Sequence, residues 1–388
     1  MSSSYRYNIN NNINKIDLHL IGNPEITNFK SVYRRHVDFE KVIHVGDINT
    51  QCDILCDFLL NVSVLFEYSI TGTASASNVP TKLIENIYYT IGNDTKIIEH
   101  LTGEYIEYYN QLRLPLTLKS EYKDGGDVVI GNNFNIMSHT GGVFKREVTT
   151  AGNFNSILPI PFSFTINPGN AFPLFLLKVD ERPIFHITYN ELSNTTISST
   201  HLMYEGINII ELSEKQRFYN SKSEYIYTRV YKYNVPDNTN ETIEIESSYG
   251  IIKSFIWNTS DNHNYNIKIN DMALFNTFEG LEAKYFTRYF PMRAGLLGTG
   301  RNLDSSGSYI IATDTIHYYT FGLKDNIDGE YTPNGTVDSN KNSIKIISKY
   351  FTDTTGSKSI YIVTNNIITF EKNKKPVFTF VQQNTFPS

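Results

Sequence analysis

Apolar runs of strand length recur along the chain, separated by clusters of Gly, Asn, Asp and Pro. "ILCDFLLNVSVLFEYSI" (54–70) is long and rich in β-branched residues, a composition that suits a pleated, half-buried surface. "KLIENIYYTIG" (82–92) alternates apolar and polar positions up to the turn signal Gly92-Asn93-Asp94, and "TKIIEHL" follows as a second strand. The period then changes. In "TGEYIEYYNQLRL" (102–114), Ile106, Tyr109 and Leu112 return at helical spacing, with Thr102 placed to start the helix and Pro115 to stop it. "KDGGDVVIGNNFNIMSHTGG" reads as a loop region with a brief strand. "SILPIPFSFTINPGNAFPLFLLKVDERPIFHITYN" (156–190) reads as two or three strands broken at Asn167-Pro168-Gly169.

The second half restarts the same pattern. "YGIIKSFIWNTS" and "YNIKINDMALFNTF" read as strands, "EGLEAKYFTRYFPM" (279–292) as a helix ending at Pro291, and four further β-rich runs complete the chain. Glu99, Leu101, Tyr105 and Tyr109 align with Glu279, Leu281, Tyr285 and Tyr289 at a constant offset of about 180 residues. The shared strand–turn–strand–helix context predicts a duplicated domain, with "ELSNTTISSTH" near 190–200 as the linker. The expected division is an N-terminal arm and first-strand flank over 1–40, a first domain over 41–190 and a second over 191–388. Strands in runs, long loops and one short helix per copy predict an all-β protein of two consecutive eight-stranded jelly-roll barrels. A parallel α/β fold is excluded, because no helix lies between successive strands.

Composition narrows the function. The 388 residues include 27 Tyr and 24 Phe, only 19% are charged, and the net charge is −6. A dedicated nucleic-acid binder usually carries a basic surface, so specific nucleic-acid binding is not expected. Cys52 and Cys56 are too few for a disulfide framework or a zinc site and, on one strand, too far apart to bridge. They are expected to be reduced, structural thiols in a protein kept in a reducing compartment. The start, "MSSSYRYNINNNIN", lacks the apolar core of a signal peptide, and no apolar run approaches the roughly 20 residues of a membrane span.

Catalytic patterns are missing. None of the nine His forms H-x-H or H-E-x-x-H. His186 in "PIFHITYN" reads as an ordinary strand residue. "GLLGTGRN" (295–302) lacks the Lys-Ser/Thr of a P-loop and reads as a tight loop. Glu104 with Glu107, and Asp180 with Glu181, read as solvated carboxylates rather than an acid–base pair. The expectation is a protein that is not an enzyme, with no catalytic residues, no metal and no cofactor.

Four blocks carry a resemblance. "NPEITNFKSVYRRHVDFE" (23–40) is similar to the P-x-I-T-x-F-K-x-x-Y-R-R-H-T-x-F signature of the major capsid proteins of nucleocytoplasmic large DNA viruses, apart from Asn28 and the Val37-Asp38 pair after the His. "LIENIYYTIGNDTKIIEHLTGEYIEYYNQL" (83–112) resembles the family's strand–IGG–strand–helix block, with Gly92-Asn93 for Gly-Gly. "ILPIPFSFTINPGNAFPLFLLKVDERPIFHI" (157–187) resembles its I-P-L-P-F-W-F and N-P-G-x-A-L-P-L block. "IHYYTFGLKDNIDGEYTPNGTVDSNKNSIKI" (316–346) keeps only Pro333-Asn334-Gly335-Thr336 of the last one. The blocks lie in the family's order across nearly the whole chain. The resemblance implies a double jelly roll that forms homotrimeric, pseudo-hexagonal capsomers tiling an icosahedral shell. It implies a virion protein assembled in the host cytoplasm, with neighbouring trimers and minor capsid proteins as partners, close to an inner viral membrane. The alternatives are a minor capsid paralogue, a transient scaffold of the same fold, and a glycan-binding double jelly roll.

Tyr33, Arg34, Arg35 and His36 are the assembly candidates. Two adjacent cations on an extended segment point to opposite sides. One of them is then available to carboxylates of a neighbouring capsomer or an underlying minor protein, where the guanidinium fork makes bidentate bonds. The competing reading is an intrachain ion pair that ties the arm to its own barrel.

Overall fold

The structure, a computed structural model, describes residues 13–14, 24–27, 31–34, 39–71, 79–92, 96–113, 122–124, 127–129, 151–166, 170–220, 222–236, 241–258, 265–274, 301–303, 309–311, 316–321, 335–352, 358–371 and 374–379. The first strands are β1 (Ile13–Asn14) and the hairpin β2 (Pro24–Thr27) with β3 (Ser31–Arg34). Next come β4 (Phe39–Gly46), β5 (Phe58–Ile70), helix α1 (Val79–Leu83), β6 (Ile84–Ile91), β7 (Ile97–Thr102) and helix α2 (Gly103–Arg113). The small hairpin β8 (Tyr122–Asp124) with β9 (Asp127–Val129) precedes β10 (Gly152–Pro159), helix α3 (Ser163–Ile166), β11 (Phe172–Pro173), β12 (Pro183–Tyr189), β13 (Thr195–Ile209) and helix α4 (Leu212–Tyr219).

Strands β4–β7, β10, β12 and β13 form the two sheets of the first barrel. One runs β4–β13–β5–β10; the other runs β12–β6–β7, with Gln51 bridging to Ile184 of β12. If Gln51 is counted as the second strand of eight, the orders are first–eighth–third–sixth and second–seventh–fourth–fifth, the winding of a jelly roll.

The second half repeats that order. Its strands are β14 (Lys222–Asn234), β15 (Thr242–Ile245), β16 (Ile251–Asn258), β17 (Tyr265–Ile269), β18 (Met272–Ala273), β19 (Arg301–Leu303), β20 (Tyr309–Ile311), β21 (Ile316–Thr320), β22 (Val337–Asp338), β23 (Ile344–Ser348), β24 (Ser359–Phe370) and β25 (Val377–Thr379). One sheet runs β14–β24–β16–β21 and the other β15–β23–β17–β18. The fold is therefore all-β and a double jelly roll, as the strand pattern predicts.

Three local expectations change, and others fall outside the described residues. The segment "ELSNTTISSTH" is not a linker. From Thr195 it is strand β13, paired on both sides with β5 and β4, and chain outside regular pairing begins only after Ile209. The apolar run "AFPLFLLKV" is not one strand: two residues pair with β5 and Leu174–Leu176 turn as a 3-10 helix. Pro173 lies inside this run and prolines 168 and 183 flank it, and each lacks the amide N–H that a continuous ladder needs. The Cys52–Cys56 segment is not a strand either; both thiols are free and buried. The helix expected over 279–292, the loop residues 295–300 and the turn 167–169 lie outside the described residues.

The helix expected over 102–114 is α2. The Thr102 Oγ1 accepts the Tyr105 N–H at 3.2 Å, a side-chain cap on an otherwise unpaired amide, and Ile106 and Leu112 are fully buried. One hydrophobic core runs through both barrels, from Phe66 and Ile98 in the first to Trp257 and Ile362 in the second. A smaller cluster of Phe58, Ala171, Ile207 and Ile209 fills the outer face of the first sheet, with Phe218 of α4 against it.

Candidate functional site at the seam between the barrels

The two barrels meet where β6, β7, α2 and α3 of the first face β14 and β24 of the second. At the centre is Glu99 of β7, with no exposed surface. A β-bulge puts it there: Tyr89 pairs with Glu99 and Thr90 with Ile97, which leaves Ile98 extra and lets Ile98 and Glu99 both be buried. The carboxylate accepts four hydrogen bonds. Tyr89 Oη donates at 2.8 Å and Tyr225 Oη at 2.9 Å to Oε1; Ser163 donates its N–H at 2.9 Å and its hydroxyl at 2.8 Å to Oε2. Ser163 Oγ in turn accepts the Thr228 N–H of β14 at 2.8 Å. Burial pushes Glu99 up to about 7, against the pull of these donors.

A second carboxylate, Glu104 of α2, joins the barrels nearer the surface. Lys232 Nζ of β14 lies 2.8 Å away, and the hydroxyls of Tyr361 in β24 and Tyr108 donate at 2.5 and 2.7 Å. Burial opposes its charge, but the Lys232 ammonium and the two hydroxyls outweigh burial and hold the carboxyl below its ordinary range. Thr102 Oγ1 and Tyr361 Oη are 3.0 Å apart. The Asn170 side chain both donates to the Ile226 carbonyl and accepts the Ile226 N–H, so it behaves as an extra ladder residue beside β14. Apolar contact fills the rest: the Phe172 ring lies 5.2 Å from Tyr225 and 5.4 Å from Phe370, both edge-on.

Glu104 and Glu107, expected to be solvated, both have partners: Glu107 accepts the Thr81 hydroxyl at 2.7 Å. His186 stacks on Tyr88 at 4.8 Å within the sheet, in line with a strand role. Among the described residues no group of three or more His, Cys, Asp or Glu is placed to hold a metal ion, and no helix is long and apolar enough to cross a membrane. Tyr33 and Arg34 lie in β3, opposite Glu25 and Pro24 of β2; Arg35 and His36 lie outside the described residues.

No protein-family model matches the chain. It is 21% identical to the major capsid protein of Pyramimonas orientalis virus over 389 aligned positions, covering 91% of this chain and 93% of that protein. It is 25% identical to the major capsid protein of Paramecium bursaria Chlorella virus 1, over 54% of this chain and 49% of that one. Among solved structures, VP54 of PBCV-1 superimposes with a TM-score of 0.64 at 15% identity, covering 92% of this chain and all of that one. The Faustovirus major capsid protein gives 0.56 at 10% identity, covering 90% and 93%. Over nearly its full length the chain is similar to a major capsid protein of a large DNA virus, and it shares the double jelly-roll fold of the solved capsid proteins.

Proposed function

We propose that the chain is a structural subunit, not an enzyme, and that three copies form a pseudo-hexagonal capsomer of an icosahedral virion shell assembled in the host cytoplasm. The observation that carries this reading is the repeated strand order on one continuous core. A rigid subunit with two equivalent barrels offers six barrels around a three-fold axis, and a six-sided tile packs flat facets. Closed rings of identical copies leave no contact surface unsatisfied. In support, among the described residues β4 is the edge of its sheet, and Phe39, Ile43 and Val45, on one face of it, are exposed. An uncovered apolar edge is a liability in a free monomer.

The domain division that fits the pairing ends the first barrel at Ile209 and starts the second at Lys222, with α4 as the connector. Tyr33, Arg34, Arg35 and His36 serve contacts beyond the subunit, to neighbouring capsomers or minor capsid proteins beside an inner membrane. Light scattering tests the trimer: the expected mass is that of three 44.4 kDa chains, and a well-folded monomer at micromolar concentration overturns it. For the arm, replacing Arg34 and Arg35 together by Ala is expected to leave the trimer intact and weaken assembly between trimers. A double variant that assembles like the parent, or whose trimer itself falls apart, refutes that role.

A further inference from the structure

We propose that Glu99 is a proton-operated lock between the two barrels: with a proton bound the seam is tight, and loss of that proton puts a buried charge with no counter-ion bonded to it between the barrels and loosens it. This goes beyond the shell reading and holds for the isolated chain whether or not that reading is right.

The geometry carries the inference. The carboxylate is fully buried at the joint, and its donors come from both sides: Tyr89 and Ser163 from the first barrel, Tyr225 from the second. A charge in such a place has lost its hydration, and hydroxyls and one amide replace it only in part. The neutral acid also fits. Hydroxyls accept as well as donate, so a protonated Glu99 can donate to Tyr89 or Tyr225, whose oxygens are 3.4 Å apart. Either state is hydrogen-bonded; what the proton changes is the charge.

The surroundings leave Glu99 as the group that titrates. Facing it are Tyr89 of β6, Ser163 of α3, and Tyr225 and Tyr227 of β14, with Thr228 of β14 bonded to Ser163 behind it. Burial raises Tyr89 and Tyr227 above the ordinary tyrosine value, so both stay neutral near pH 7. His100, next along β7, is held down to about 4 by burial and by the Arg229 charge, so it is neutral across the same range. Arg229 of β14 places its charge beside His100 and Tyr227.

The sign follows from linkage. The folded-state value of about 7 lies above the 4.5 of a solvated glutamate. The folded protein therefore holds a proton that the unfolded chain has released, and stability falls as pH rises from about 4.5 to about 7. Within that window each pH unit shifts the folding equilibrium by up to about tenfold, on the order of a hundredfold in all.

The test uses the purified full chain. Unfolding midpoints and amide exchange protection in β7 and β14, corrected for the intrinsic pH dependence of exchange, are measured from pH 5 to 8.5. Glu99→Gln keeps the shape of the neutral acid. It is expected to remove the decline between pH 5 and 7 and to keep β7 and β14 protected at pH 8. Tyr225→Phe, a milder change, removes one donor to the charged form and is expected to move the decline to higher pH. Parallel pH profiles for the parent and Glu99→Gln overturn the proposal. If Glu99→Gln does not fold, an unmoved decline in Tyr225→Phe overturns it.

Discussion

Replacing Phe172 by Ala tests whether the two barrels are one cooperative unit. Phe172 is fully buried, and its ring meets Tyr89 at 5.9 Å and Phe164 at 6.2 Å in the first barrel, Tyr225 at 5.2 Å and Phe370 at 5.4 Å in the second. Removing the phenyl group opens a void of about 100 Å3, worth about 2.4 kcal/mol at ~24 cal/mol per Å3. Buried Phe→Ala changes cost about 3–5 kcal/mol once transfer is included, and four edge contacts place this one at about 4 kcal/mol. With a urea m-value of about 3 kcal/mol/M for a chain of this size, the midpoint falls by roughly 1 M or more. The assay has a built-in reporter. The single Trp, Trp257, is buried in the second barrel against Tyr265 and His317. Its fluorescence follows the second barrel, while far-UV circular dichroism follows both. A change made in the first barrel is expected to shift both signals together. If the fluorescence midpoint stays put while the dichroism midpoint falls, the barrels unfold independently and the seam is not a cooperative joint.

Further outcomes follow from other sites. Gly103→Ala drives a Cβ into the carbonyl oxygens of Thr81 and Ile84; backbone cannot give way by that much, so a loss of about 3 kcal/mol or more in urea unfolding is expected. Cys52 and Cys56 are buried and pushed up to about 12 by that burial, so a thiol reagent at pH 8 is expected to label neither until urea unfolds the chain. Fast labelling of native protein refutes this. Glu104 has a depressed folded-state value, so its contribution is present above about pH 4.5 and lost as pH falls below it. Lys232→Met is expected to flatten that acid limb of the stability profile while leaving the limb near pH 7 unchanged.

Much of the architecture is legible in residue order alone, because it depends on neighbours a few positions apart. Alternation in "KLIENIYYTIG", the Gly92 turn with φ of 58° and the Thr102 cap specify β6, β7 and α2 without reference to the rest of the chain. Repetition of that plan points to two copies, and the repeat is borne out in the strand orders of both barrels. Tertiary structure decided the remainder. "AFPLFLLKV" is apolar enough for a strand, but Pro173 and the packing of Phe172 and Leu174 cut it to a two-residue strand and a 3-10 turn. Thr195–Ile209 looks polar and linker-like at its start, yet pairing with β5 and β4 made it the last strand of the first barrel. Glu104 and Glu107 have the spacing of solvated helix residues, and only the approach of Lys232, Tyr361 and Thr81 gave them partners. Glu99 is the sharpest case. Hydropathy assigns a carboxylate to solvent; its burial rests on a bulge at Ile98 and on donors 64 and 126 positions away, Ser163 and Tyr225. A periodic pattern records which face of an element is apolar, but the free energy of a buried charge depends on groups that only the folded chain brings within reach.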